Sequence, residues 1–129
     1  MILDTSALLA ILLRELEAAD FALAIEKADI VKMSVASYLE AAIYVDGNGD
    51  EVRRAMLDTF LDQFSIQLEP VTIKQAKLAR EAFLLFGKGR HAAGLNYGDC
   101  FTYALAKDTH EPLLFKGQDF DKTDLVPAS

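Results

Sequence analysis

Short apolar segments that alternate with longer amphipathic ones are the feature that most constrains how this chain can fold. Four short runs have the composition of β-strands: residues 1–3, 30–33, 66–68 and 112–115. Segments with helical periodicity separate them. Strands separated by helices are joined by right-handed crossovers, so the pattern predicts an α/β protein with a parallel sheet covered by helices on both faces.

The helical segments carry start signals of their own. Ser34 is placed to cap the helix after the second strand, and Asn96 is placed to cap the helix before the fourth. Thr72 and Gln75 have the spacing of a capping box. Residues 125–126 are a candidate for a short fifth strand.

The composition is that of one folded domain, which we expect to span residues 1–129. Of the residues, 52% are hydrophobic and 26% are charged, which excludes a disordered chain. The single cysteine excludes an internal disulfide and fits a reducing compartment. No stretch approaches the roughly 18 apolar residues of a membrane span, and no basic leader precedes the first apolar run. The sequence therefore predicts a cytoplasmic protein without membrane association.

The net charge of −7, from 20 acidic and 13 basic residues, argues against a protein that coats nucleic acid non-specifically. The acids instead fall near strand ends. Asp4 follows the first strand and Asp119 follows the fourth. Glu40 lies nearly two turns into the helix after the second strand, and Asp99 lies in the first turn of the helix before the fourth. Since functional groups of α/β sheets gather outside the carboxyl ends of the strands, these carboxylates are expected in one crevice.

Each of these acids also has an ordinary structural interpretation. Asp4 can cap the first helix, Asp99 can complement a helix dipole, and Glu40 can be a surface residue. The set is therefore the signal, not any one member. Carboxylates in one pocket repel each other, and a hard divalent cation such as Mg²⁺ or Mn²⁺ relieves that repulsion. Zinc is not indicated, because the cysteine and the two histidines lack a ligand spacing.

Four segments carry a resemblance to a known family: residues 1–8, 34–40, 95–100 and 114–120. In order, spacing and overall length they resemble the PIN domain, and more closely the VapC-type ribonuclease toxins of prokaryotic toxin–antitoxin modules. The resemblance covers essentially the whole chain. It implies a PIN-like three-layer α/β/α fold, in which about seven helices flank a short, mostly parallel sheet of four to five strands.

The resemblance also implies a site and an activity. It assigns an acidic quartet that holds Mg²⁺ or Mn²⁺: Asp4, Glu40, Asp99 and Asp119. The implied activity is endonucleolytic RNA cleavage by a metal-activated water. Asp121 is the alternative fourth acid, and Thr5 or Ser6 would orient Asp4 through a hydroxyl group. The implied partners are the RNA substrate, a cognate VapB-type antitoxin whose C-terminal segment wraps the toxin, and a second copy in a homodimer.

Basic and aromatic residues are further candidates. The only compact basic cluster lies in a glycine-rich break: Lys88, Arg90 and His91. It is either an RNA-backbone contact or a solvated loop. Lys116 either contacts a phosphate or pairs with an acid. For Tyr97 and Phe120, core packing is the favoured interpretation and base stacking is the alternative.

Three other functions compete with the ribonuclease. A receiver-like phosphoacceptor domain also has an acid after its first strand, but it requires a second acid there, and this chain has Thr5. A haloacid-dehalogenase-type phosphatase requires an aspartate where this chain has Ser6. A catalytically silent PIN-fold interaction module is disfavoured because all four acids are present.

Overall fold

The computed structural model describes residues 1–48 and 51–128, in which strands alternate with helices. The strands are β1 (Ile2–Leu3), β2 (Lys32–Ser34), β3 (Gln67–Glu69) and β4 (Leu113–Leu114). The helices are α1 (Thr5–Leu12), α2 (Ala18–Lys27), α3 (Val35–Gly47), α4 (Glu51–Gln63), α5 (Ile73–Phe86) and α6 (Tyr97–Thr109). The α/β class predicted from the alternation is confirmed. None of the helices in the described ranges is long and apolar enough to cross a membrane.

All four strands are parallel, in the order β3-β2-β1-β4. From β1 the chain winds outward to β2 and β3, and it then returns to place β4 on the other side of β1. The winding direction therefore reverses at β1. In parallel sheets the crevice outside the strand ends at such a reversal is where ligands bind, and Asp4 is the first residue after β1.

The two faces of the sheet pack into separate apolar clusters. Leu3 and Leu114 belong to a cluster with helices α1 to α4. Ile2 and Leu113 belong to a second cluster with α5 and α6. Successive strand residues point to opposite faces, so even strands of two residues anchor both helical layers. This arrangement is the expected three-layer α/β/α architecture.

Three details differ from the expectations. The described residues form six helices instead of about seven. The prediction of a fifth strand at residues 125–126 is wrong, because only one parallel bridge, between Leu113 and Pro127, forms there. Pro127 has no N–H group to extend the ladder. The capping box of α5 is half formed: Thr72 accepts from the Gln75 backbone N–H at 3.1 Å, but the Gln75 amide donates to Asp108 at 3.3 Å.

Candidate active site

Four carboxylates line one cavity of about 480 Å³ beyond the carboxyl ends of the strands. They belong to Asp4, Glu40, Asp99 and Asp119, which come from four distant parts of the chain. The alternative fourth acid, Asp121, is not among the residues that line this cavity. The structure therefore brings the predicted quartet together, with Asp119 in the fourth place.

Asp4 is the most rigidly held of the four acids. It is only 4% exposed, and it caps α1 by accepting from the Ser6 backbone N–H at 3.0 Å. The Ser6 hydroxyl donates to the same carboxylate oxygen at 2.5 Å, and Thr102 Oγ1 donates to the other at 2.6 Å. The Ser6 hydroxyl also accepts from the Lys116 backbone N–H at 2.9 Å, which ties the ends of β1 and β4 together. Three donors thus fix the orientation of a buried carboxylate that has no cation beside it in the described residues.

Of the two alternative hydroxyls for orienting Asp4, that of Ser6 does so. The hydroxyl of Thr5 donates instead to the Ser37 carbonyl oxygen of α3 at 3.0 Å. Sequence reasoning missed the second donor, Thr102, which is 1% exposed. The sequence could have indicated Thr102, because it follows Asp99 by three positions and both residues therefore lie on one face of α6.

Asp99 combines a structural role with a place in the cavity. It forms a reciprocal capping box with Asn96: the Asp99 backbone N–H donates to Asn96 Oδ1 at 2.9 Å, and the Asn96 backbone N–H donates to Asp99 Oδ2 at 3.0 Å. Burial raises the pKa of Asp99 to about 7, and the charges of Asp4, Asp119 and Glu40 add to the rise, while the Asn96 hydrogen bond lowers it. The four carboxylates therefore repel one another in the protein without metal.

Glu40 reaches the cavity from α3 and lies directly against the first turn of α6. A Cβ atom built on Gly98 would lie 2.3 Å from Glu40 Oε2 and 2.9 Å from Oε1. Only glycine at position 98 leaves room for this carboxylate in its present position. The signal in the sequence was a glycine inside a helix, where it costs about 1 kcal/mol relative to alanine.

The basic candidates do not line the cavity. Lys116 pairs with Glu15 and lies 3.5 Å from Glu17, so the ion-pair interpretation describes its position. The three members of the basic cluster, Lys88, Arg90 and His91, are exposed on the loop after α5. The negative charge of the cavity is consequently not offset by any lysine, arginine or histidine among the residues that line it.

The four carboxylates that line the cavity are of the ligand type that binds a hard divalent cation. In the present side-chain positions, no three Asp, Glu, His or Cys residues within 1–48 and 51–128 converge closely enough to hold one ion. Glu40 and Asp119 are exposed and able to rotate, whereas Asp4 is fixed and Asp99 is partly buried. Carboxylate oxygens are the ligands that Mg²⁺ and Mn²⁺ prefer, and a cation would offset the burial and the neighbouring negative charges that together raise the pKa of Asp99.

Core packing was predicted for Phe120 and Tyr97, and only Phe120 lies in the core. Phe120 is 2% exposed and packs edge-on against Phe115 at 5.3 Å. Tyr97 is 80% exposed, so the core interpretation of this residue is wrong. It is the first residue of α6, and its ring contacts that of Phe101 one turn later edge-on. Burial raises the pKa of the Cys100 thiol, which disfavours a thiolate nucleophile.

Comparison with known proteins agrees with this geometry. The PIN domain family model matches residues 1–126. Ribonuclease VapC28 of Mycobacterium tuberculosis is 51% identical over 129 residues, which cover 99% of this chain and 97% of that protein.

Two solved structures share the fold. M. tuberculosis VapC20, described as a sarcin-ricin loop cleaving toxin, superposes with a TM-score of 0.77 at 16% identity and covers 97% of this chain and 95% of its own. A toxin–antitoxin complex from Klebsiella pneumoniae gives a TM-score of 0.75 at 14% identity, with coverage of 99% and 97%. With a family match over nearly its whole length and a half-identical relative of the same length, the chain belongs to the PIN domain family and, within it, to the VapC group.

Proposed function

We propose that this chain is a metal-dependent endoribonuclease that acts as the toxin of a toxin–antitoxin pair. The observation that carries the proposal is that four carboxylates line one cavity at the carboxyl ends of the strands, without a compensating cation among the lining residues. The half-identical, full-length relative named as a ribonuclease supports the reaction class. The 129 residues would act as a single domain in the cytoplasm.

The acidic quartet would hold Mg²⁺ or Mn²⁺ and direct it at an RNA phosphate. When bound, such an ion lowers the pKa of a water molecule and stabilises charge that develops at phosphorus. Hydrogen bonds from Ser6 and Thr102 fix the orientation of the Asp4 carboxylate, and a hydrogen bond from Asn96 fixes the orientation of the Asp99 carboxylate. Since these hydrogen bonds exist before substrate arrives, little reorganisation of Asp4 and Asp99 would be needed.

The basic loop after α5 would supply contacts to the RNA backbone through Lys88, Arg90 and His91. Their exposure leaves them accessible to phosphates. Lys116 is the weakest of the basic candidates because it is already engaged by two glutamates.

A cognate VapB-type antitoxin would neutralise the chain. An arginine or lysine from its C-terminal segment, placed in the acidic cavity, would substitute for the charge of the metal. The toxin–antitoxin complex with the same fold supports a partner of this kind. A homodimer would use exposed apolar surface, of which α3 offers Val35, Leu39 and Ile43 at successive turns.

Asp99→Asn is the cleanest test of the proposed site. The amide keeps an oxygen to accept from Asn96, so the cap of α6 survives, whereas the charge is lost. In Asp4→Asn the new NH₂ group would face a donor, so a loss of folding would confuse the result. We expect the purified, antitoxin-free chain to cleave total RNA at defined sites with Mg²⁺ or Mn²⁺, and Asp99→Asn or a chelator to abolish cleavage. RNA-end sequencing measures this, and undiminished cleavage by a folded Asp99→Asn protein would refute the site.

A further inference from the structure

A second cavity lies beside the acidic one, between α5 and α6. It is a groove of about 420 Å³ with a predominantly apolar lining. Ala76 and Ala79 of α5 leave space with their small side chains, while Phe83, Tyr97 and Phe101 contribute aromatic rings. It shares no lining residue with the acidic cavity, and nothing in the mechanism above uses it.

The aromatic rings of this groove are unusually accessible. Tyr97 is 80% exposed and Phe83 is 40% exposed. Tyr97 touches Phe101 only edge-on, with ring centroids 4.9 Å apart and an interplanar angle of 84°. A tyrosine ring placed in this way contributes little to folding, and its free face is available to another flat aromatic group.

The groove lies in the one strongly positive part of the sequence. Residues 73–96 contain five lysines and arginines and a single acid, Glu81, in a chain whose net charge is −7. Lys74 pairs with Asp108. The four other cations form no ion pair with an acid of the described residues: Lys77, Arg80, Lys88 and Arg90. Arg80 lines the groove, and the guanidinium of Arg90 lies 5.9 Å from the centre of the Phe83 ring.

The two cavities meet at the first turn of α6. Asn96 and Asp99 line the acidic cavity, and their chain neighbours Tyr97 and Cys100 line the groove. A strand whose phosphate lies among the carboxylates thus has the groove next to it. Aromatic rings with arginines at the rim match a nucleobase that is attached to phosphates. A basic peptide tail suited to the acidic cavity would instead be repelled by the positive segment.

We propose that the α5–α6 groove is a nucleobase subsite. A base next to the scissile phosphate stacks on Tyr97 and Phe83, and Arg80 and Arg90 contact the phosphates on either side of it. The inference rests on the proposed ribonuclease function and adds a base-binding subsite to it.

The test measures RNA binding without cleavage. All variants are made in the Asp99→Asn protein and titrated, with Mg²⁺ present, into a short single-stranded oligoadenylate labelled with fluorescein. Fluorescence anisotropy gives Kd. We expect Tyr97→Ala to raise Kd by about 5- to 150-fold, the range for loss of one stacked base, and Tyr97→Phe to stay within about twofold. Arg80→Gln should reduce the slope of log Kd against log salt by about 1.

The matched control is Leu16→Ala, which truncates a side chain that is 99% exposed on another part of the surface; its Kd should not change. Equal Kd values for Tyr97→Ala and its parent, while the unmodified chain still cleaves RNA, would overturn the subsite and leave the proposed function standing. Neither binding nor cleavage by the unmodified chain would overturn both. If Tyr97→Ala disrupts a dimer or an antitoxin complex and leaves Kd for RNA unchanged, the groove belongs to a protein partner and the proposal is wrong.

Discussion

Replacement of Gly98 by alanine should separate activity from stability. The backbone of position 98 is ordinary α-helix, so alanine adopts it without strain. Alanine in place of glycine favours a helix by about 0.5 to 1 kcal/mol. The new methyl group, however, would point at the Glu40 carboxylate. The variant should therefore fold at least as well as the parent, but with Glu40 displaced from the acidic cavity.

The size of the displacement follows from the geometry. The Cβ atom would lie 2.3 Å from Glu40 Oε2, and ordinary van der Waals contact begins at 3.4 Å, so the carboxylate has to retreat by about 1.1 Å. It can do so, because it is the end of a flexible and exposed side chain. A misplacement of about 1 Å at a catalytic group costs up to about 100-fold in rate, or about 2.7 kcal/mol of activation free energy. We expect RNA cleavage to fall by one to two orders of magnitude.

The assay compares Gly98→Ala with Gly47→Ala, the same chemical change at the end of α3. A Cβ atom at position 47 would meet no atom within 4 Å, so this control should retain full cleavage. Thermal unfolding of both variants reports stability. Glu40→Asp combined with Gly98→Ala shortens the acid by one methylene group and should recover part of the lost activity. Full cleavage by Gly98→Ala would show that Glu40 has no need of its present position, and unfolding of the variant would show that the contact is structural.

Two further predictions concern Asp4 and Asp99. Thr102→Val removes a buried donor to Asp4 and should lower the free energy of unfolding, measured by urea denaturation, by about 1 to 3 kcal/mol. Thr102→Ser keeps the hydroxyl and should be nearly as stable as the parent. Equal stability of all three proteins would contradict the role of the hydroxyl. The pKa of Asp99 is about 7 against an ordinary value of 3.8, so between these pH values the folded protein holds a proton that the unfolded chain releases. Without metal, the stability of the protein should therefore fall as the pH rises through this window. Calorimetry should show that Mg²⁺ raises the Tm more at pH 8 than at pH 5. Asp99→Asn should lose both effects.

The four strands of the sheet and the grouping of the four acids in one cavity could be predicted from the sequence for a physical reason. Strand residues such as Leu3 and Leu114 are apolar because both faces of a parallel sheet are covered, and this leaves a local pattern. Asp4 and Asp99 stand at helix starts, where their caps are also local. Local patterns of this kind survive in a single sequence.

The details that complete the site are long-range and leave almost no local pattern. Thr102 bonds to Asp4 across 98 positions of the chain, and Gly98 matters only because α3 brings Glu40 against α6. Tyr97 misled the sequence analysis because an aromatic residue in an amphipathic helix usually faces the core. Tyr97, however, is the first residue of α6. The end of the helix, and not the apolar face of the helix, sets the direction of the Tyr97 ring.

The negative net charge acquires a different meaning once charges are located. It argued against binding to nucleic acid, but it is an average over two opposite regions: a cavity of four carboxylates and a segment, 73–96, with four more cations than acids. If the proposed function is right, the positive segment would attract RNA, while the cavity would repel phosphate until a divalent cation binds there. Mg²⁺ would thus promote RNA binding as well as RNA cleavage, because a bound cation would make the acidic cavity attract phosphate instead of repelling it. We therefore expect the substrate to bind at the boundary between the two regions, which is the first turn of α6.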